Sequence, residues 1–113
     1  MSQTKTSADL VKRVASLLGR LVAGEALGDV ESTTIDRNID DVLEEVSNFC
    51  YIADRDEIPS RYFYTLAWLV AIHSASDFSS SPLDVAALQQ HEARLRYLSA
   101  EESSNEPVKS LYY

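Results

Sequence analysis

From Arg61 to Phe78 the chain presents almost no polar side to water. Phe63, Leu66, Ala67, Val70, Ala71 and Ser74 recur at three- and four-residue spacing. Tyr62, Trp68, Leu69 and Ile72 widen that stripe until it runs nearly all round a helix. A helix apolar on every side has to be enclosed by other elements. This requirement limits the fold more than any other feature, because the neighbours must be amphipathic and numerous enough to cover it. Gly and Pro number only three each, which argues against a turn-rich β fold as the cover. Pro59 suits the first turn of the enclosed helix, where its missing N–H costs nothing. Asp56 and Glu57, just before it, complement the helix dipole.

The flanking sequence supplies suitable neighbours. A first helix is predicted from Ser7 to about Ala23, with Leu10, Val14, Leu17, Leu18 and Leu21 on one face and Lys12, Arg13 and Arg20 on others. Ser7 is the expected N-cap, and Gly24 and Gly28 mark the expected stop. A second helix starts at Thr33 or Thr34, where Thr33-Thr-Ile-Asp36 resembles a capping box. Its apolar face is Ile35, Ile39, Val42, Leu43, Val46, Phe49 and Cys50. Tyr51–Ile58 reads as a loop, and Ser79-Ser-Ser-Pro82 as a break. A fourth helix spans Pro82 to Ser99 and turns Val85, Leu88, Leu95 and Leu98 inward. The expected fold is all-α: a small bundle of three to four helices over residues 1–99.

Residues 100–113 read differently. Pro107 disfavours helix, and no apolar spacing of helical period follows Ser99. Yet Val108, Leu111, Tyr112 and Tyr113 are apolar or aromatic, and a solvated tail has no need of them. The segment is expected to be an extended arm that lies on another protein.

At 113 residues the chain makes one domain. No apolar run approaches a membrane span. The stretch Met1–Asp9 has no apolar signal-peptide core, so a protein made and used without secretion is expected. A single cysteine, Cys50, excludes an internal disulfide framework. The net charge of −8 is unevenly placed: Glu25 to Glu57 holds eleven acids against Arg37 and Arg55, and the remainder eight basic against seven acidic residues. That weighs against a general nucleic-acid binder. On the second helix Asp36, Asp40, Asp41, Glu44 and Glu45 share the non-core face. Their i,i+4 like-charge pairs each cost roughly 0.2–0.5 kcal/mol in an isolated helix. The plain reading is a solvated face. The functional one is a face that meets a basic partner, or lines a space where DNA passes without sticking.

Chemistry finds little to work with. His73 and His91 fall on different helices, with no metal-ligand spacing. Cys50 ends an apolar face among acids and reads as a buried small hydrophobe. Asp54-Arg-Asp-Glu57 lacks the twelve-residue span and central Gly of a calcium loop; it reads as a solvated loop that prepares a helix N-terminus. No phosphate-cradling or nucleophile motif occurs. The chain is not expected to be an enzyme or to carry a cofactor or metal.

The order of elements resembles a known family. A first helix ending in Ala23-Gly-Glu25 leads to the acidic helix Thr34-Ile-Asp-Arg-Asn-Ile-Asp-Asp-Val-Leu43. Then come Tyr51-Ile-Ala-Asp-Arg-Asp-Glu-Ile-Pro59, the helix Tyr62-Phe-Tyr-Thr-Leu-Ala-Trp-Leu-Val-Ala71, and Glu92-Ala-Arg-Leu-Arg-Tyr-Leu98 before a Glu-Pro-Val-Lys-x-x-Tyr-Tyr end. This is similar to the head-to-tail adaptor (connector, or packaged-DNA-stabilising) proteins of tailed bacteriophages. The resemblance implies a virion structural protein at the neck, synthesised in the host cytoplasm. It implies a dodecameric ring of copies under the portal protein that extends the DNA channel, retains packaged DNA without binding it specifically, and docks a tail or nozzle protein. It also implies that Pro107, Val108, Leu111, Tyr112 and Tyr113 bind the portal. It leaves open whether Asp36, Asp40, Asp41, Glu44 and Glu45 face the channel or a neighbouring subunit. The rival expectation is an acidic regulatory or DNA-mimic protein that binds a nucleic-acid enzyme.

Overall fold

Burial of one helix organises the molecule, a computed structural model that describes residues 4–19, 28–78 and 83–104. The elements run β1 (Thr4–Lys5), α1 (Ser7–Leu17), α2 (Asp29–Glu45), β2 (Ile58–Pro59), α3 (Ser60–Phe78) and α4 (Val85–Ser104). Helix α3 packs against α1, α2, α4 and both strands. Its Phe63, Leu66, Ala67, Leu69, Val70 and Ala71 are buried. Leu10, Val14 and Ala15 of α1, Ile35, Ile39 and Val42 of α2, and Leu95 and Leu98 of α4 close round it. The protein is a small all-α bundle with a two-stranded antiparallel ribbon that pairs Thr4 with Pro59 and Lys5 with Ile58.

The helix ends depart from expectation in ways local chemistry explains. Thr6, not Ser7, caps α1: its side-chain oxygen accepts from the Asp9 amide, and the Asp9 carboxylate accepts from the Thr6 amide, both at 3.2 Å. Ser7 is instead held from a distance. Its amide and its hydroxyl both donate to Asp56, at 3.1 and 2.8 Å. Helix α1 stops near Leu18 rather than Ala23, because Gly19 adopts φ 72, a left-handed conformation that suits glycine. Helix α2 begins at Asp29 after Gly28, about a turn before the expected Thr33. Thr33-Thr-Ile-Asp36 is therefore helix interior, and Asp29 and Glu31 supply the acids of the first turn. Pro59 lies in β2, one residue ahead of α3. Its lack of a donor is tolerated at the edge of a two-stranded ribbon.

Helix α4 is capped by Asp84, whose carboxylate accepts from the Ala87 amide at 3.0 Å. It continues to Ser104, past the expected end at Ser99. Residues 100–104 thus continue α4. Val85, expected inward, is exposed. Trp68 also departs from a fully enclosed α3: it is 42% exposed, and Tyr64 is 56% exposed.

One polar link crosses the core. The Asn38 amide of α2 donates to Ser74 Oγ at 2.8 Å and to Asp77 on α3 at 2.9 Å. Ser74 is fully buried, so this donor satisfies a group that would otherwise carry an uncompensated desolvation cost. Asn38→Ala is expected to destabilise the fold by about 1–3 kcal/mol in chemical denaturation. Adding Ser74→Ala should recover part of the loss, and an Asn38→Ala variant as stable as the parent would remove the link from the account.

Two aspartates tie the start of α1 to the rest. Hydrogen bonds from Thr6 hold Asp9 below the ordinary aspartate value of 3.8. Hydrogen bonds from the Ser7 hydroxyl and amide do the same for Asp56. A carboxyl with a depressed folded pKa binds protons less readily folded than unfolded. Its stabilisation is complete above the unfolded value and lost as pH falls through the folded one. The thermal midpoint should therefore drop as pH is lowered from about 5 to below 3.8. Asp56→Asn should make that drop shallower, and an unchanged pH profile would count against the clamp.

Candidate functional site

The acidic face is built by the helical repeat. Ile35, Asn38, Ile39 and Val42 occupy the inner side of α2. Residues about 100° apart along the turn then place Asp36, Asp40, Asp41, Glu44 and Glu45 outward. All five are exposed. The sequence reading of this surface as one uniform carboxylate face needs refinement, because the five are not equivalent.

Arg55, from the loop after α2, lays its guanidinium fork across one helical turn. Nη2 grips Asp36 and Nη1 grips Asp40. The two carboxylates lie at i and i+4, about 6 Å apart along the axis, a spacing a planar fork can bridge. Arg55 relieves the like-charge repulsion that an isolated helix would suffer. Glu45 turns the other way, with its Oε1 3.3 Å from His73 Nε2 on α3. Among the described residues, the carboxylates of Asp41 and Glu44 have no side-chain partner. The uncommitted part of the face thus narrows to Asp41 and Glu44.

Beside them lies a shallow groove of about 460 Å³ lined by Asp40, Leu43, Glu44, Tyr51, Ile52 and Arg55. Tyr51, 74% exposed, presents its ring at the edge of this acidic ground. A cation that entered would meet a carboxylate and an aromatic face together.

The loop that delivers Arg55 is itself organised by its acids. Asp54 accepts from the Asp56 amide through its side chain at 2.9 Å, and from the Glu57 amide through its carbonyl at 2.9 Å. Asp56 then caps Ser7. Within the cluster Asp54–Glu57, Asp56 serves the N-terminus of α1, a helix distant in sequence.

The other singled-out residues have structural settings. Cys50 is buried in the core. His91 stacks on Trp68, ring centroids 5.4 Å apart and planes within 6°. Among the described residues no cluster of His, Cys, Asp and Glu could hold a metal ion, and no helix is long and apolar enough to cross a membrane. Pro107, Val108, Leu111, Tyr112 and Tyr113 lie outside the described residues.

Comparison with family models, curated proteins and solved structures finds no match to this chain. Sequence reasoning missed Arg55 as the counterion of the ridge. Its only sequence signal is an arginine alone in an acidic loop, 15 and 19 residues from its partners. Arg55→Gln is expected to cost about 1 kcal/mol or less, since the pair is partly solvated. The loss should be largest at low ionic strength and shrink as salt screens the exposed carboxylates, measured by urea denaturation at two salt concentrations. A salt-independent loss would assign the effect to packing.

Proposed function

We propose that this chain is a virion structural protein of a tailed bacteriophage, a head-to-tail adaptor that assembles as a ring under the portal. In this reading it extends the DNA channel, helps retain the packaged genome and offers a docking surface to a tail or nozzle protein. It acts by binding, at the virion neck, without catalysis. The observation that carries the reading is the joining of two unlike parts. A helical bundle with a self-sufficient core is followed in the sequence by Pro107, Val108, Leu111, Tyr112 and Tyr113. Aromatic and aliphatic side chains so placed are anchors for a protein surface, and the portal subunit is that surface.

The acidic face supports the same reading in a secondary way. It keeps a negative excess after Arg55 is counted, because Asp41, Glu44 and Glu45 outnumber the exposed Arg37. Such a face suits either a channel, where fixed carboxylates repel DNA phosphate, or a contact with basic residues of a neighbouring copy. The rival reading, an acidic regulatory or DNA-mimic protein, is less well supported. A mimic needs an uninterrupted row of charge, whereas Arg55 neutralises part of this one and Arg37 stands within it.

Deleting Glu106–Tyr113 should leave the bundle folded, with unchanged helical circular dichroism, while abolishing binding to purified portal rings. Electron microscopy of portal mixed with each chain reads the outcome directly. Assembly of the truncated chain on portal rings would overturn the role of the arm.

A further inference from the structure

The most enclosed helix of the bundle carries two exposed aromatic side chains. Tyr64 and Trp68 stand one turn apart on α3. At about 100° per residue they lie about 180° and 140° round the helix from His73, which approaches Glu45 of α2. Helix α2 covers one side of α3, and this aromatic strip faces out on the other. The acidic ridge of α2 points away from α3, because the inner face of α2 is taken by its core residues. The ridge and the strip therefore occupy opposite sides of the α2–α3 layer.

The strip has cationic surroundings. A groove of about 340 Å³ between α1 and α3 is lined by Lys5, Asp9, Lys12, Arg13, Phe63 and Tyr64 among others. Arg13 Nη2 donates to the Tyr64 hydroxyl at 3.1 Å, and its guanidinium lies 4.7 Å from the ring centroid. Arg61 is exposed one turn before Tyr64 on the same side of α3. Among the described residues, the one carboxylate lining this groove, Asp9, already accepts from the Thr6 amide. Lys12 and Arg61 are exposed here with Tyr64, Lys5 and Arg13 are half-buried over aromatic rings, and Lys12 also borders Asp36 of α2. Asp41, Glu44 and Tyr51 are exposed on a surface that shares no residue with this groove.

We infer that the Lys12–Arg13–Tyr64–Trp68 face of one copy receives the Asp41–Glu44–Tyr51 ridge of a second copy. The two surfaces complement each other in charge, and Arg, Tyr and Trp are the residues enriched where proteins meet. The two patches differ and lie on opposite sides, so the contact is heterologous: each added copy presents a fresh ridge or a fresh groove. Such contacts close into rings or run on as filaments. The inference deepens the ring reading and rests on it for closure alone. It assigns the acidic ridge to the neighbouring subunit rather than to the channel.

Sedimentation velocity of the purified full-length chain tests this. The parent should form oligomers that dissociate as salt is added. Lys12→Glu/Arg13→Glu and Asp41→Lys/Glu44→Lys should each self-associate about 100-fold more weakly or worse. The two unaltered faces match one another and so do the two reversed ones, so an equimolar mixture should regain association, starting from 1:1 dimers. Combining all four substitutions in one chain should restore oligomers. Circular dichroism verifies that every variant is folded. A parent that stays monomeric at its highest soluble concentration, an oligomer that survives either double substitution, or a mixture with no dimer would each overturn the inference. So would a basic face whose loss changes only DNA retention in a gel-shift assay while self-association persists. A chain that associates as described but ignores the portal would sink the adaptor reading and leave this interface standing.

Discussion

The burial of α3 is the constraint on which the rest depends. A helix with Phe63, Leu66, Ala67, Leu69, Val70 and Ala71 on most of its circumference cannot exist alone in water. It draws α1, α2 and α4 onto its flanks, and each of these turns one apolar stripe inward. A small chain has little apolar surface to spare, so the cover is thin. Among the described residues, one strip of α3, at Tyr64 and Trp68, stays partly open. Side chains there have been chosen to tolerate water: a phenol held by Arg13, and an indole stacked on His91.

Charge is distributed by the same geometry. Once the inner side of α2 is committed to the core, its acids have nowhere to go but outward, and they crowd. Arg55 takes up two of them and His73 approaches a third. These contacts are exposed, and contribute little to stability. Their main effect is to sort the ridge into committed and uncommitted carboxylates. The bundle consequently has an acidic side and a basic-aromatic side, a polarity that a uniform surface would lack.

The sequence made the layers legible and the termini less so. Periodicity exposed the core helix, the acidic helix and the inward Leu95 and Leu98, because burial is a property of every third or fourth residue. Helix ends depend on single residues in competition. Thr6 and Ser7 are equally good caps by composition, and only Asp9 and the distant Asp56 decide between them. Apolar spacing continues past Gly19 through Leu21, yet the positive φ of Gly19 ends the helix. Val85 and Trp68 fit apolar stripes but lie where no helix covers them. The Asn38–Ser74 link, the Arg55 fork and the strand pair join residues 15 to 55 positions apart, and pattern within a short window carries no trace of such partners. Pro107, Val108, Leu111, Tyr112 and Tyr113, proposed to meet the portal, are read from sequence alone.

The short ribbon between Thr4–Lys5 and Ile58–Pro59, with the Ser7–Asp56 contact beside it, has a mechanical consequence. It closes a loop of more than fifty residues, at an entropic cost of roughly 3–4 kcal/mol beyond the constant term. The burial of Ile58 in the core and the packing of α1 on α3 offset that cost together with the ribbon's hydrogen bonds. The ribbon also fastens the amino-terminal strand to the loop that holds Arg55. A pull applied at the amino end, by a fused domain or a tether, is thereby transmitted to the acidic ridge, and the beginning of the chain becomes a handle on its most charged surface.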